Sequence, residues 1–396
     1  MGFAKALCLN PDLGKYVRVI EIQTYALAGP RDTTVLGPDL HTVLGAALLG
    51  LPLHTEEREA WKSALMQCDI SVPLALIATK APFLRVLRTS HRQEILDRLF
   101  ALRESDPSIL SGLEQLHVGL ERHEVLDYDI IKYSYLFDLP SLREYSFQEG
   151  NIYGHDCPST WTLGSLKPQE LALIHCECDA SGIEKLVKAC KTLTAFTFQN
   201  FQARGGSVNN HGPYPQEPTA VDIHEALLSH RETLRILQLD FWRKPSITHR
   251  THSYQRFYSR RVKLPSRRNF PVLERIEIQH SLLPEAPEFS PALKSLHITD
   301  CDLPIWDMVA NIARDCIKSQ YPHFTDFLIT SFDDTRLIGL STEAHGLSAH
   351  TTPDLDYQST RLLFEGTSVH FRIVPYDVDT VRAYLHGFWF DSDDDD

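Results

Sequence analysis

The 396-residue chain lacks the sequence features that mark secreted and membrane proteins. Its 8 cysteines are scattered, which argues against the disulfide framework of a small secreted domain. It has no Asn-x-Ser/Thr glycosylation sequence, and no long apolar core of a signal peptide precedes Asn10. The longest apolar run, Val43 to Leu53, is about half as long as a membrane helix. These absences predict a cytoplasmic or nuclear protein with no membrane partner.

The chain also lacks the common motifs of nucleotide binding and hydrolysis. It has no Gly-x-Gly-x-x-Gly, no phosphate-binding P-loop and no Gly-x-Ser-x-Gly. His224-Glu225 begins like the His-Glu-x-x-His zinc motif, but position 228 is leucine. We therefore favour the interpretation that His224 and His230 are exposed on a helix over the interpretation that they bind zinc. We therefore predict no catalytic residue and expect that the chain is not an enzyme.

Cysteine and histidine come closest together in the segment His175-Cys176-Glu177-Cys178. Its cysteines are separated by one residue, whereas paired zinc ligands are usually two to four residues apart. Cys176 also falls on an apolar position of the repeated phrase described below, where a small buried residue belongs. Cys301 has the equivalent position. We expect both to be core cysteines and predict no metal and no cofactor.

Charge is distributed unevenly along the chain. The net charge of -13 argues against a general hold on nucleic acid or anionic membrane. Residues 243–268, however, contain nine Lys or Arg and no Asp or Glu, with Tyr254, Phe257 and Tyr258 between them. The candidate binding residues of this basic insertion are Arg250, Arg256, Arg260, Arg261, Arg267 and Arg268. Basic residues with aromatic residues between them are typical of proteins that bind single-stranded nucleic acid. We favour a different interpretation, in which the segment is a solvated insertion or pairs with the chain's own acidic surface.

One phrase recurs along the chain: apolar, two variable residues, apolar, one variable residue, apolar. Its copies begin at Leu113, Leu142, Pro168, Leu193, Leu234, Leu273, Leu293 and Phe324, between 20 and 41 residues apart. The alternation at its end predicts a strand with one buried face. Poorer copies begin at Val17 and Leu84.

Several copies are followed by amphipathic helical patterns, which are predicted at 179–190, 220–230 and 304–319. Three further helices are predicted at 39–51, 56–67 and 92–104. Strand, turn, helix and strand in series resembles the leucine-rich-repeat family. The predicted fold is therefore α/β: a degenerate leucine-rich-repeat solenoid of parallel strands with outer helices over residues 106–335, after a helical N-terminal region at 1–105. An ordinary α/β domain that shares a short apolar pattern is the alternative.

The order of segments resembles a narrower group of proteins. Residues 9–22 read LNPDLGKYVRVIEI, a helix with Trp61 follows, and residues 69–87 read DISVPLALIATKAPFLRVL before the loose repeats begin. This resembles the region after the F-box in fungal F-box and leucine-rich-repeat-like proteins. The resemblance implies a substrate receptor of ubiquitin ligases. No F-box is seen before Leu9, so a Skp-type adaptor is expected as a partner only if an F-box is present elsewhere.

The C-terminal part of the chain is predicted to cover the end of the repeats. Strands are predicted at 361–364 and 369–374, on either side of Gly366, and a helix at 377–385. We assign residues 336–390 to this cap. Residues 391–396 carry five carboxylates and are predicted to form a disordered acidic tail.

A candidate binding surface follows from the stacked strands. The single variable residue between the last two apolar positions of each phrase would face the concave side of a solenoid. The candidate partner-binding row contains His117, Ser146, Thr197, Gln238, Glu277 and His297. A mixed polar row suits protein recognition, so the chain is predicted to be a non-catalytic protein–protein recognition scaffold. Nucleic-acid binding through 243–268, or an enzyme site assembled from distant residues, remain the alternatives.

Overall fold

The computed structural model shows a mixed α/β fold with parallel strands, which confirms the predicted class at that level. The residues that it describes are 2–22, 38–67, 69–89, 93–119, 130–148, 150–199, 218–241, 263–299, 301, 305–331 and 362–375. The chain splits into two compact units, Met1–Thr192 and Leu193–Asp396. This division falls inside the segment 106–335 that was predicted to be a single array.

In the first unit, five strands lie side by side in chain order, and each pairs in parallel with the next. They are β1 (Val19–Ile22), β2 (Val86–Thr89), β3 (Gln115–Val118), β4 (Glu144–Gln148) and β6 (Glu170–Ile174). A separate two-stranded parallel sheet pairs β5 (Asn151–Ile152) with β7 (Glu177–Cys178).

In the second unit, six strands are again arranged in chain order, and each is parallel to its neighbour. They are β8 (Ala195–Gln199), β9 (Ile236–Asp240), β10 (Arg275–Gln279), β11 (Ser295–Thr299), β12 (Asp326–Ser331) and β13 (His370–Pro375). All eight predicted phrases and both poorer copies therefore end in a strand.

The strand β4 shows why the phrase forms a strand. Tyr145 and Phe147 are buried, whereas Ser146 between them remains partly exposed. Leu142, the first apolar residue of the phrase, is buried where the chain turns into the strand. The period of two thus places one row of side chains in the core and leaves the alternate row on the other face.

A repeated backbone hydrogen bond sets the register of neighbouring strands. Within each unit, the second residue of a phrase donates its N–H to the carbonyl oxygen of the equivalent residue one strand earlier. In the first unit Glu114 donates to Arg85 and Arg143 donates to Glu114, both at 2.8 Å. In the second unit Glu274 donates to Arg235 at 2.9 Å and Lys294 donates to Glu274 at 2.7 Å. Because the bond recurs at the same position, equivalent residues of neighbouring phrases in a unit lie side by side across the sheet.

Eight α-helices occur in the described part of the chain. They are α1 (Gly2–Leu9), α2 (Pro38–Leu49), α3 (Thr55–Met66), α4 (Ser71–Lys80), α5 (Gln93–Ser105), α6 (Ala180–Ala189), α7 (Ala220–Leu227) and α8 (Trp306–Ile317). The six predicted helices are confirmed, with ends shifted by a turn or less. Asp179 and Thr219 cap the N-termini of α6 and α7, each by accepting a hydrogen bond from a backbone N–H of the first turn.

Sequence periodicity did not predict α1 and α4. In α4 almost every residue from Ser71 to Ala78 is buried, so its sequence has no polar face that would reveal a helical period. Pro73 lies in the first turn of this helix, where a missing N–H removes no intrahelical bond. A helix that is apolar on all sides cannot be distinguished from a buried strand by pattern alone.

The two-stranded sheet and α6 are joined through one carboxylate. Asp179 Oδ1 accepts hydrogen bonds from the N–H of Gly182 at 2.5 Å and from the N–H of Gly154 at 2.9 Å. The first turn of α6 therefore lies directly against β5. A Cβ at position 182 would lie 2.5 Å from the carbonyl oxygen of Ile152, so only glycine allows this approach.

The predicted strand at 361–364 is wrong, because Leu362 to Gly366 form a turn that precedes β13. Phe364 is buried in this turn and packs against Phe327 and Phe371, with ring centroids 5.7 and 5.0 Å away. Gly366 has a φ of 80°, which a β-strand does not accommodate. The strand predicted at 369–374 is confirmed as β13. The predicted helix 377–385 and the acidic tail lie outside the described residues.

Gly182→Ala is expected to destabilise the protein by about 1–3 kcal/mol, because the new methyl group would overlap the Ile152 carbonyl group. Urea unfolding, followed by circular dichroism, measures the change in the free energy of unfolding.

Gly45→Ala is the matched control, since Gly45 lies in α2 and a Cβ added to it would meet no atom within 4 Å. This variant is expected to be stabilised by up to about 1 kcal/mol through helix propensity alone. Equal stabilisation of both variants would contradict the close approach of α6 to β5.

Candidate interaction surface on the parallel strands

The predicted partner-binding residues occupy equivalent positions on the strands. His117 and Ser146 are register partners in the first unit. In the second unit Thr197 pairs with Gln238, Gln238 with Glu277, and Glu277 with His297. All six side chains are partly exposed, on the face opposite to the core residues. The structure thus brings together the members of each row within its own unit.

In the second unit the row forms a continuous chain of polar contacts. The Thr197 hydroxyl lies 3.4 Å from Gln238 Oε1, and Gln238 Nε2 donates to Glu277 Oε1 at 3.1 Å. Glu277 Oε2 is 3.5 Å from His297 Nδ1. The other ring nitrogen, Nε2, is 2.5 Å from the hydroxyl oxygen of Thr330. Each side chain is therefore oriented by its neighbours on the adjacent strands.

The end of this chain of contacts has the order carboxylate, imidazole and hydroxyl that nucleophilic triads use. Thr330 is 8% exposed and lies within β12, and its hydroxyl oxygen is already in contact with His297 Nε2. The imidazole of His297 is thus fixed between Glu277 and Thr330 as a positioned surface group. The arrangement holds hydrogen-bond donors and acceptors in fixed orientations.

In the first unit the row is more strongly charged. Glu21, Arg88 and His117 follow one another across β1, β2 and β3. Arg88 Nη1 lies 3.6 Å from Glu21 Oε2, and His117 Nε2 lies 3.5 Å from Glu144 Oε1. Burial lowers the pKa of His117, Arg88 acts in the same direction, and Glu144 opposes the shift. Glu21 opposes the shift as well, and the net direction favours the neutral imidazole of His117.

Sequence reasoning missed several members of these rows. Arg88 occupies the row position in the poorer copy that begins at Leu84, and Arg372 occupies it in β13, beside Leu328. Arg372 Nη2 lies 3.0 Å from Asp326 Oδ1. Both arginines follow the same alternation as the other row residues, so the signal was present in the sequence. Thr330 had no such signal, because it lies two residues beyond the row position.

The basic segment is described only from Lys263 onward, and Arg250, Arg256, Arg260 and Arg261 lie outside the described residues. Arg268 is exposed, with Nη1 3.5 Å from Glu288 Oε1. Arg267 is 3% exposed, so it is a core residue and has no surface for a phosphate contact. A run of basic residues conceals this difference: Arg267 and Arg268 are consecutive residues of a short 3-10 helix (Arg267–Asn269), and their side chains leave that helix in different directions.

The expectation that His224 and His230 are exposed is wrong, since they are 2% and 5% exposed. His224 Nδ1 contacts Arg267 Nη1 at 2.5 Å, and the His224 ring packs edge-on against Phe270. The N–H of Leu193 donates to His230 Nδ1 at 3.3 Å. Both histidines lie on the buried side of the helical segment that starts with α7. There a ring nitrogen of each histidine contacts a residue that is distant in the sequence.

Cys176 and Cys301 are buried at 1% and 7% exposure, in the positions that the phrase assigns to small core residues. Among the described residues, no group of three or more His, Cys, Asp and Glu side chains is arranged to hold a metal ion. In the same part of the chain, no helix has both the length and the apolar character needed to cross a membrane.

No protein-family model and no curated protein matches this chain.

The contact between Gln238 and Glu277 is expected to contribute about 0.5–1 kcal/mol to stability, since it is a hydrogen bond to a partly exposed carboxylate. A double-mutant cycle with Gln238→Ala and Glu277→Ala, measured by urea unfolding, gives this coupling energy. Gln238→Ala combined with Arg314→Ala, a substitution of an exposed residue on α8, is expected to be additive. A coupling energy of zero in the first pair would contradict the ordered row.

Protein stability is expected to fall as pH decreases from 6.5 to about 4, in part because of His224. Burial lowers the pKa of His224 from 6.5 to about 4, and Arg267 acts in the same direction. In this window the unfolded chain binds a proton at position 224 that the folded chain does not bind, so acid favours unfolding.

His224→Gln is expected to reduce this pH dependence, measured as the difference in unfolding free energy between pH 7 and pH 4.5. Burial also lowers the pKa values of His175 and His280 to about 4, so part of the dependence will remain. The exposed His155 provides the control variant His155→Gln, which should leave the difference unchanged. An identical pH dependence in His224→Gln and in the unsubstituted protein would refute the buried neutral state of His224.

Proposed function

We propose that this chain is a leucine-rich-repeat-type solenoid that recognises other proteins through the polar rows of its strands. The observation that supports the fold is the recurrent hydrogen bond between equivalent residues of successive phrases. The same phrase, the same strand position and the same backbone bond recur in each unit. That regularity is typical of repeats in which each copy contacts only its neighbours.

The chemistry of the rows supports protein recognition. Acidic, basic and neutral polar side chains alternate from strand to strand, and their contacts hold them in defined orientations. Three further charged residues of the second unit, at the second position of their phrases, also alternate in sign from one strand to the next: Arg235, Glu274 and Lys294. Glu274 pairs with both neighbours, because Lys294 Nζ lies 2.9 Å from its Oε2 and Arg235 Nη1 lies 3.8 Å from its Oε1. Partly exposed polar groups with both signs of charge suit a complementary protein surface better than a polyanion.

The proposed role is non-catalytic, and it corresponds to a substrate-receptor-like protein of ubiquitin ligases. Support for this narrower role is the resemblance of residues 9–22 and 69–87 to the region after the F-box of fungal F-box proteins. Both segments contribute to the first unit, through β1 and through α4 with β2. A Skp-type adaptor is a partner in this proposal only if an F-box accompanies the repeats.

Affinity capture from cytoplasmic and nuclear extracts, with mass spectrometry, tests this proposal. We expect the triple variant Gln238→Ala, Glu277→Ala and His297→Ala to lose at least one partner that the unsubstituted protein retains. The matched control is Arg314→Ala with Lys318→Ala, which changes exposed residues at the end of α8 and should retain every partner.

Two outcomes would contradict parts of the proposal separately. Identical partner sets for the triple variant and the control would show that the row does not bind proteins. Capture of row-dependent partners without Skp-type adaptor or cullin, from full-length protein with any natural N-terminal extension, would refute the ubiquitin-ligase role and leave the recognition role intact.

A further inference from the structure

The strand β1 is an edge of the sheet in the first unit. It pairs with β2 on one side, and no other described strand pairs with it. Arg85 and Val86 of the next phrase donate their N–H groups backward to the carbonyl oxygen of Arg18, at 2.8 and 3.0 Å. The N–H groups of Arg18 and Val19 occupy the equivalent positions in the first phrase, so they point away from β2, toward the place of a preceding strand.

No strand takes that place among the residues that the structure describes. Neither of the two N–H groups has an acceptor there, whereas the N–H of Val17 donates to the carbonyl oxygen of Gly14 at 3.1 Å. The side chain of Val19 is 53% exposed, while its register partner Val86 is only partly exposed. The edge therefore presents two backbone donors in the arrangement that an added strand uses.

Exposed apolar side chains surround this edge. Leu13 and Tyr16, which precede β1, are 40% and 81% exposed, and Phe83, which precedes β2, is 52% exposed. The two turns that carry these residues are in contact, since the backbone of Gly14 lies so close to the Lys80 carbonyl oxygen that no Cβ fits between them. Single exposed apolar residues are ordinary, but a group of them marks an interaction site.

Arg18 adds a positive charge that no described carboxylate pairs with. Its guanidinium donates to the carbonyl oxygen of Lys15 at 2.6 Å and lies over the ring of Phe83, 4.9 Å from the centroid. The neighbour of Arg18 at the same position of the next phrase is Arg85, whose Nε lies 3.7 Å from Glu114 Oε1. Because that neighbour has the same sign, an acidic partner for Arg18 belongs on the open side of β1.

Glu21 determines the preference two residues beyond the outward N–H of Val19. It is exposed, and its Oε2 lies 3.6 Å from Arg88 Nη1 on β2, so opposite charges face each other at this position. A basic residue on a preceding strand continues this pattern, whereas an acidic one is repelled. Ile20 is 8% exposed, so the residue beside it is apolar.

We propose that β1 binds an extended segment of another protein, which adds to the sheet as a parallel strand before it. One carbonyl oxygen of the segment accepts both outward N–H groups, as in the other strand pairs of this unit. The segment carries an acidic residue beside Arg18, an apolar residue beside Ile20, and Lys or Arg beside Glu21. This contact depends on the backbone edge of β1, and it is independent of whether the polar rows bind a partner.

Fluorescence anisotropy with a labelled peptide tests the site on the complete chain. The probe contains Glu-Thr-Leu-Lys-Val, which places its glutamate beside Arg18 and its lysine beside Glu21. The matched control, Lys-Thr-Leu-Glu-Val, has the same composition with the two charges exchanged. It is expected to bind ~10-fold more weakly, because like charges then meet at both positions. Equal affinity of the two peptides, or no binding of the probe at millimolar concentration, would overturn the proposal.

A charge reversal in the protein assigns the effect to Arg18. Arg18→Glu is expected to bind Lys-Thr-Leu-Lys-Val more tightly than Glu-Thr-Leu-Lys-Val, which reverses the preference of the unsubstituted protein. Arg235→Glu changes an exposed arginine at the same phrase position in the second unit and should keep the original preference. The original preference in Arg18→Glu, or a reversed one in Arg235→Glu, would contradict the assignment.

Val19→Pro removes one outward N–H and is expected to lose the probe, while circular dichroism remains that of the unsubstituted protein. Hydrogen exchange of the unsubstituted protein, followed by nuclear magnetic resonance, keeps the test decisive if this variant does not fold. Bound probe is expected to slow exchange of the Arg18 and Val19 amides, and unchanged exchange at saturation would refute the added strand. A molecular mass that rises with protein concentration, and does not rise in Val19→Pro, would assign the edge to a second copy of the chain and overturn the proposal of a different partner.

Discussion

The hydrogen bond between equivalent backbone positions of successive phrases is the constraint on which the rest of the structure depends. Within each unit, the second residue of a phrase is hydrogen-bonded to its counterpart one strand earlier, so equivalent residues of neighbouring strands lie side by side. Apolar side chains such as Tyr145 and Phe147 then fall into the core, and the residue between them falls into the polar row. Had the register shifted by one residue, the core and the polar row would have exchanged faces.

This constraint explains how much of the structure could be predicted from the sequence. The strands that end the phrases, β13 and six helices were predicted because their signals are local: a period of two in the strands, and a period near 3.6 with capping residues in helices such as α6. The two short strands β5 and β7 were not predicted. The members of the polar rows follow from the same alternation. By contrast, α4 has no polar face, and the turn at Phe364 depends on an aromatic contact with Phe327, which is distant in sequence.

The buried polar residues could not be predicted, for a related reason. Arg267 lies in a run of basic residues that is typical of a solvated insertion, and His224 lies on a helix with charged neighbours. The two side chains contact each other in the core although they are 43 residues apart in the chain. A contact of this kind leaves no periodic signal in the sequence, because it depends on the tertiary packing of distant segments. Arg267 thus lies at a position where charge and apolar burial conflict.

The unequal spacing of the phrases in the second unit has a consequence for how this surface can change. The distance along the chain is 41 residues from Leu193 to Leu234 but 20 from Leu273 to Leu293, yet the strands that follow are aligned residue for residue. The difference in spacing is therefore confined to the segments that connect one strand to the next. Insertions and deletions there can leave the strand register unchanged, while substitutions within the five-residue strands alter the polar row one side chain at a time. The connecting segments and the polar row can therefore evolve independently.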